Sequence, residues 1–380
     1  MVSEDRTGPL AGLVVVDLTR VLAGPFAGLL FADLGARVIK VERPGSGDDT
    51  RGYGPFAPDG RSYYFARVNR GKESIALDLR ADRDQLLALV RGADVLLENF
   101  RPGVMDRLGL GYDTLAEVGP RLVYASISGY GQSGPWRDRP AYDATVQAAA
   151  GLMSITGEPD GPPVRPGTSI ADLAAGLYGF GAVLAALHAR ERTGRGCHVD
   201  VAMFDATVSL LEGAALETLA TGATPARVGS AHRTIAPFGS FAARDGQLVI
   251  CAGNDELFVR ACAAIGSPML ATDPRYRGNS ARIAHVRELT ADLEAVLGGG
   301  DVAHWAAALE AAGVPCAPVA SVPEALGSPQ AAARRLVVTA GGLQLPGQVA
   351  KLSGYADPAV RTAAPELDEH GKSLRSEFPA

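Results

Sequence analysis

The amino-acid sequence predicts an α/β fold: a Rossmann-like, parallel-sheet large domain plus a smaller α+β domain. Three observations carry this. β-branched runs alternate with helix-like stretches through the first half of the chain, the pattern of strands buried on both faces and joined by helical crossovers. The length, 380 residues, exceeds that of most single domains. Beyond a stretch rich in Gly, Ala and Thr, the pattern changes to a hairpin followed by helices.

The first unit is "LVVVDLTRVLAGPFAGLLFADLGARVIKVERPGSGDD", with a strand over Leu13 to Leu18, a loop, a helix and a second strand over Val38 to Glu42. Pro25 suits the first turn of that helix, where its missing N–H costs nothing, and Gly35 suits its end. The pattern recurs in "KESIALDL", a helix near Arg83 to Arg91, "ADVLLENF" and "RLVYASISGYG". Parallel sheets bind ligands beyond the carboxyl ends of their strands, which singles out Arg20 to Gly24, Arg43, Asn99 to Arg101 and Gly129 to Gln132. A long buried helix from Leu173 to about Arg192 follows, then a strand in "CHVDVAM" and a second long helix through about Leu219. "GSFAARDGQLVICAG" reads as a hairpin, and helices are expected over Asn254 to Ala264, Ala281 to Leu297 and Val302 to Ala312. The tail contains "LPGQVAKLSGY", a strand-like turn segment, and returns to the first domain. The domains expected are residues 1–218 completed by 335–380, a linker at 219–229, and residues 230–330.

Composition excludes several classes. With 47% hydrophobic and 21% charged residues the chain is an ordinary folded protein. A formal charge of −6 argues against nucleic acid or an anionic membrane as a main partner. Cys197, Cys251, Cys262 and Cys316 are scattered without disulfide or metal spacing, which implies a reducing compartment. The start, "MVSEDRTGPL", lacks signal-peptide character, and the apolar run Leu173 to Leu187 falls short of the roughly 18–20 residues of a membrane span. The expected location is therefore the cytoplasm. "GYGQSG" fits G-x-G-x-x-G, but "PWRDRP" follows where a phosphate-binding helix should start, so a structural turn is expected and not a nicotinamide or flavin site. No Walker loop, H-E-x-x-H or G-x-S-x-G occurs, and the six histidines have no ligand spacing, so no metal is expected.

Two features point to chemistry. Arg20, Arg37, Lys40, Arg43 and Arg51, then Arg101 and Arg107, gather near the strands, and arginine suits bidentate contact with phosphate. Any one of them can equally be a solvated surface charge. Asp172 is the one acid at the head of an apolar helix that carries no further charge until Arg190. A carboxylate in a first turn interacts favourably with the helix dipole, by about 0.3–1 kcal/mol. The same place would hold it ionised beside free backbone N–H groups, as a nucleophile toward an acyl group requires.

The segments "LTRVLAGPFAGLLFADLGARVIKVERPGSGDDTR", "NRGKESIALDL", "ENFRPGVMDRLGLGYD", "YASISGYGQSGP", "YDATVQAAAGLMSITGEPDGPPVRPG", "SIADLAAGLYG" and "RTGRG" run in order along nearly the whole chain. Together they resemble the class III coenzyme A transferases (CaiB/BaiF type), the family that also contains formyl-CoA transferase, carnitine CoA-transferase and α-methylacyl-CoA racemase. The resemblance implies an interlocked homodimer and a catalytic aspartate at Asp172, which forms a mixed anhydride with the donor acyl group and then an aspartyl-CoA thioester. It implies coenzyme A, as acyl-CoA co-substrate, at Val21, Ala23, Arg43, Leu77, Asn99, Phe100, Arg107, Leu108 and Tyr130. Arg43 and Arg107 would hold phosphates, the apolar residues adenine, and Tyr130 the pantetheine or thioester. Leu77 and Phe100 are also ordinary core positions. Small residues beside Asp172, namely Ala171, Ala174, Ala175 and Gly176, would leave room for the thioester.

Departures from the family narrow the expectation. Leu22 stands where formyl-CoA transferase has glutamine, and its tetraglycine loop is missing, which disfavours oxalate and formate. Tyr142 stands where the racemase branch has a proton-transferring histidine. "RVLAGPFA", "ERPGSGDDTR", "VRPG" and "GSAHRTIAPFGSFAARDGQLVICAGND" look like the branch that uses succinyl-CoA with dicarboxylates such as hydroxymethylglutarate, citramalate or itaconate. A second carboxylate needs a cation, for which Arg165, His232 and Arg233 are candidates. The end, "PELDEHGKSLRSEFPA", departs from the family's "LGEH" and stops early. An acyl-CoA racemase, a CoA-linked dehydratase and a non-catalytic acyl-CoA-binding paralogue are the rival readings.

Overall fold

In a computed structural model, which describes residues 7–380, the chain forms two compact units. The polar amino-terminal start read above thus lies, over residues 1–6, outside the described residues. The first unit comprises the chain up to Leu152, Arg165–Glu212 and Ser328–Ala380; the second comprises Met153–Val164 and Gly213–Gly327.

The first unit is built on six parallel strands: β1 (Val14–Asp17), β2 (Arg37–Glu42), β3 (Glu73–Ala76), β4 (Val95–Glu98), β5 (Val123–Ser128) and β6 (His198–Ala202), in the order β3-β2-β1-β4-β5-β6. Chain order reverses between β1 and β4, which makes their carboxyl ends the switch point where such sheets bind ligands. Successive strand residues point to opposite faces. Val15, Val38, Leu97 and Ala125 enter one core with α1 (Ala23–Asp33) and α7 (Ile170–Thr193). Val16, Ile39, Leu96 and Tyr124 enter the other with α3 (Arg83–Arg91) and α5 (Tyr112–Val118). Short helices α2 (Tyr63–Asn69), α4 (Val104–Arg107), α6 (Asp143–Ala149) and α8 (Met203–Ser209) complete the unit's first half.

Three predicted elements differ from those observed. The long helix expected after β6 is two, α8 and α9 (Glu212–Thr221), because Glu212 takes a left-handed conformation, φ 44°, that no continuing helix permits. The helix expected over Ala281 to Leu297 is likewise broken, at His285, into α11 (Asn279–Ala284) and α12 (Val286–Leu297). Helix α7 extends past the apolar run at both ends, to 24 residues, and by length and composition it could cross a membrane. Here it lies against α1, and Val183, Ala186 and Leu187 are buried in the sheet's core.

The second unit packs a sheet of β7 (Phe238–Ala242), β8 (Gln247–Cys251) and β9 (Cys316–Pro318) against α10 (Asp255–Ala264), α12 and α13 (Val302–Ala311), around Phe258, Leu289, Leu293 and Leu309. The tail then adds the hairpin of β10 (Val337–Ala340) and β11 (Leu343–Pro346) to the first unit. Its two-residue turn, Gly341 and Gly342, has φ 57° and 82°, which glycine adopts without strain. The expected strand character ends at Pro346. Despite the unusual terminal sequence a last helix forms, Gly371–Glu377, docked by Leu374 and by an Asp368 carboxylate that accepts the Ala76 N–H at 2.8 Å.

Candidate active site

A cavity of about 440 Å³ opens at the carboxyl ends of β1–β4. Leu18, Leu77, Phe100 and Leu108 form its apolar wall, and Arg43, Arg80 and Arg107 its cationic side. An apolar slot beside several guanidinium groups is complementary to an adenine ring and its phosphates.

The loop at this edge is held in an uncommon shape. Val21, a β-branched residue, has φ 70°, which is sterically costly and persists only where the surroundings impose it. Asp48 accepts the Val21 N–H at 3.3 Å, and Asn99 grips Arg20 on both sides, accepting its N–H at 2.9 Å and donating to its carbonyl at 2.8 Å. Below lie buried charges: Lys40 Nζ is 2.9 Å from Asp48, and Lys72 Nζ is 2.7 Å from Asp17. Burial alone would raise the Asp48 carboxyl, but Lys40 and the Thr50 donors hold it below its ordinary value. Burial pushes Lys72 down to about 8.

Asp172 sits in the first turn of α7, half-buried. Its carboxylate accepts no hydrogen bond among the described residues. Burial first, and the nearby Asp143 carboxylate second, push it up to about 7. The sequence-based expectation of an acid held ionised by free N–H groups therefore fails, for a visible reason. The first-turn N–H of Ala171 goes instead to Asp143, at 3.0 Å, and Asp143 also accepts from Gln147 at 2.7 Å and pairs with Arg165 at 3.2 Å. Asp143, at the start of α6, is thus the member of the site that sequence reasoning passed over. Its signal is local: an acid before an apolar helix, followed by Gln four residues on.

One turn beyond Asp172, on the same helix face, Gly176 lets the Ala23 carbonyl approach so closely that a Cβ would meet it at 2.7 Å. Asp172 is thereby carried beside the start of α1, two residues past the loop at the cavity edge. The smallness of Gly176 serves this helix contact, and Ala171, Ala174 and Ala175 pack in the core.

Of the other sequence-derived candidates, Arg43, Leu77, Phe100, Arg107 and Leu108 line the cavity. Val21, Ala23 and Asn99 shape its edge. Tyr130 packs between Trp136 and Phe204, with ring centroids 5.7 and 5.9 Å away, and lines no described cavity. Within the basic cluster Arg20 and Lys40 line this cavity, and Arg101 a second one. Arg37 and Arg51 are structural, bound to Glu73 with Glu377 and to Glu42 respectively. Arg80, unremarked in the sequence, joins the cationic side. In the second unit, His232 accepts the Thr234 N–H at 3.1 Å, and Arg233 is held by Glu217 at 3.4 Å and the Ala226 carbonyl. The turn at Gly129–Gly134 is tied by Ser128 to Gly131 and by Asp200 to Gln132, and the next helix begins only at Asp143.

The class these features define is that of α/β proteins with a ligand-sized, arginine-lined cavity at the sheet's switch point. Within that class the chain belongs to CoA-transferase family III, whose family profile matches residues 10–371. It is 54% identical over 376 residues, 98% of this chain and 96% of the relative, to an acetyl-CoA:oxalate CoA-transferase of Acetobacter aceti. It is 40% identical, over 98% of this chain and 87% of the relative, to a succinyl-CoA:glutarate CoA-transferase of Mus musculus. A solved CaiB/BaiF family protein from Brucella suis superposes with a TM-score of 0.87 at 40% identity, covering 98% of this chain and 99% of that one. The chain is a family III CoA-transferase.

Proposed function

We propose that this enzyme moves coenzyme A from succinyl-CoA to a small dicarboxylic acid, through covalent chemistry on Asp172. The observation that carries this is the Asp172 carboxylate, half-buried, without a hydrogen-bond donor among the described residues, on a helix packed against α1, the element that follows the loop at the edge of the arginine-lined cavity. An ionised carboxylate there is poorly solvated and correspondingly nucleophilic.

The Asp172 carboxylate attacks the thioester carbonyl; the C–S bond breaks, giving an acyl-aspartyl anhydride and CoA thiolate. The thiolate attacks the aspartyl carbonyl, releasing the donor acid as its carboxylate and leaving aspartyl-CoA thioester. The acceptor carboxylate then attacks this thioester, expelling thiolate and forming a second anhydride. Thiolate attack at the acceptor acyl carbon yields the new acyl-CoA and frees Asp172. Each intermediate remains activated, so no nucleotide triphosphate is consumed. Coenzyme A lies along Val21, Ala23, Arg43, Leu77, Asn99, Phe100, Arg107 and Leu108; Tyr130, packed between Trp136 and Phe204, has no part in this reading. Arg165, His232 and Arg233 are the cations available to a second carboxylate; of these, Arg165 is already within the Asp143–Asp172 group. The enzyme acts as an interlocked homodimer in the cytoplasm, with no nicotinamide, flavin, metal, nucleic acid or membrane involved.

The names of the relatives support a diacid acceptor. They also change one expectation: oxalate, disfavoured by Leu22 and the missing tetraglycine loop, is in the name of the relative at 54% identity. Oxalate therefore belongs among the acceptors to be tested. The test is a matrix of succinyl-CoA and acetyl-CoA against oxalate, glutarate, mesaconate and citramalate, read by mass spectrometry of the CoA esters. Asp172→Ala should abolish turnover, with CoA affinity nearly intact, and hydroxylamine should trap wild-type protein at this residue after acyl-CoA addition. Turnover by the variant, or α-proton exchange without transfer, overturns the proposal.

A further inference from the structure

A second cavity, of about 230 Å³, lies over the last residue of β4, the first part of β5 and the first residue of β6, on the sheet face that carries α5. Its floor is polar and partly satisfied. Ser126 Oγ is 2.9 Å from His198 Nε2, the Tyr112 ring stacks on that imidazole at 5.3 Å, and the buried Glu98 carboxyl accepts the Phe100 N–H at 2.8 Å. One group is not satisfied. Gln132 Nε2 is buried at the cavity with no hydrogen-bond partner among the described residues, and a buried amide left unpaired is costly enough to call for a ligand acceptor.

The rim carries both signs of charge. Arg101, Asp106 and Asp113 are exposed and make no ion pair among the described residues, and Arg137 completes the cationic side. A simple anion would face two aspartates and Glu98; a simple cation would face two guanidinium groups. A molecule with a carboxylate and an ammonium group meets complementary charge at both ends.

The wall between the two cavities is α4. Val104 and Arg107 line the first cavity, and Met105 and Asp106 line the second. Left-handed glycines bound this single turn, Gly103 with φ 76° and Gly109 with φ 66°, and the same turn presents side chains to both cavities.

We propose that the second cavity binds a small zwitterion of amino-acid size, and that its occupancy sets the position of Arg107 in the first cavity. The second clause rests on the first cavity holding CoA; the first does not.

Titration of the full-length protein without CoA, by ligand-detected NMR and calorimetry, uses glycine, L-serine and L-glutamine as probes, with acetate and ethanolamine as single-charge controls. At least one amino acid should bind saturably, with both controls at least tenfold weaker. Asp113→Asn and Arg101→Gln, both at exposed positions and checked for native circular dichroism, should each weaken that binding at least tenfold. A saturating probe should change the CoA dissociation constant severalfold in the wild type and leave it unchanged in Asp113→Asn. Absence of binding by all three probes at millimolar concentration, equal binding by a control, or binding that survives both substitutions overturns the site. An unchanged CoA constant in the wild type overturns the coupling. Failure to bind CoA at all would instead strike at the transferase reading, and leaves probe binding measurable.

Discussion

At the scale of single residues, Asp172 trades stability for reactivity. Its carboxyl is raised from 3.8 to about 7, so between these values the folded state holds a proton that the unfolded state has released. Stability therefore falls as pH rises from about 4 to about 7, and above 7 the full cost of the buried charge is present. Asp172→Asn removes that cost. It should abolish transfer yet raise unfolding free energy by on the order of 2–4 kcal/mol at pH 8, with the gain vanishing toward pH 4. Denaturant unfolding at both pH values checks this; a loss of stability at pH 8 would show a carboxylate acting as a helix cap. Activity runs the other way, since attack needs the ionised form: kcat/KM should rise through pH 7 and level above it. Asp143→Asn removes the second cause of the shift, so the same limb should move to lower pH. It also leaves the Ala171 N–H with a weaker acceptor, which costs about 1 kcal/mol.

Among elements, the contact of α1 with α7 places the reacting group. Gly176→Ala would drive a methyl against the Ala23 carbonyl and the Phe26 ring, at 2.7 and 2.9 Å. The expected loss is about 1–3 kcal/mol from overpacking, with kcat reduced more than CoA affinity because Asp172 moves while the cavity does not. Asn99 acts on the other element, the loop after β1. Asn99→Ala frees Arg20 from its clamp, and the KM for acyl-CoA should rise at nearly constant kcat. Steady-state kinetics on the two variants separates the effects.

Across the whole molecule, what was legible follows from how local each cause is. Alternating β-branched runs and helices declare a parallel sheet because a strand buried on both faces needs them, and its strand ends then point to Arg43, Arg107 and their neighbours. The state of Asp172 was not legible, because it depends on Asp143, 29 positions away in the chain, and on burial by α1. The pairing of Asp17 with Lys72 spans 55 positions, and the second cavity draws on three strands, so neither leaves a pattern in any short window. Assembly is likewise not local. Leu219 is 82% exposed and Val322 71% exposed in one unit, and Val349 is 78% and Val360 71% exposed in the other, apolar side chains open to a partner. An interlocked homodimer would cover such surface, and its topology predicts a kinetic signature beyond mass. Light scattering should give twice the 39.3 kDa of one chain. Two rings threaded through one another cannot part without opening a fold, so tagged and untagged dimers mixed in native buffer should form no hybrid over days, and should form it after unfolding and refolding together. An ordinary surface dimer would exchange as it dissociates, and hybrids appearing in native buffer would exclude the interlocked arrangement while leaving a dimer in place.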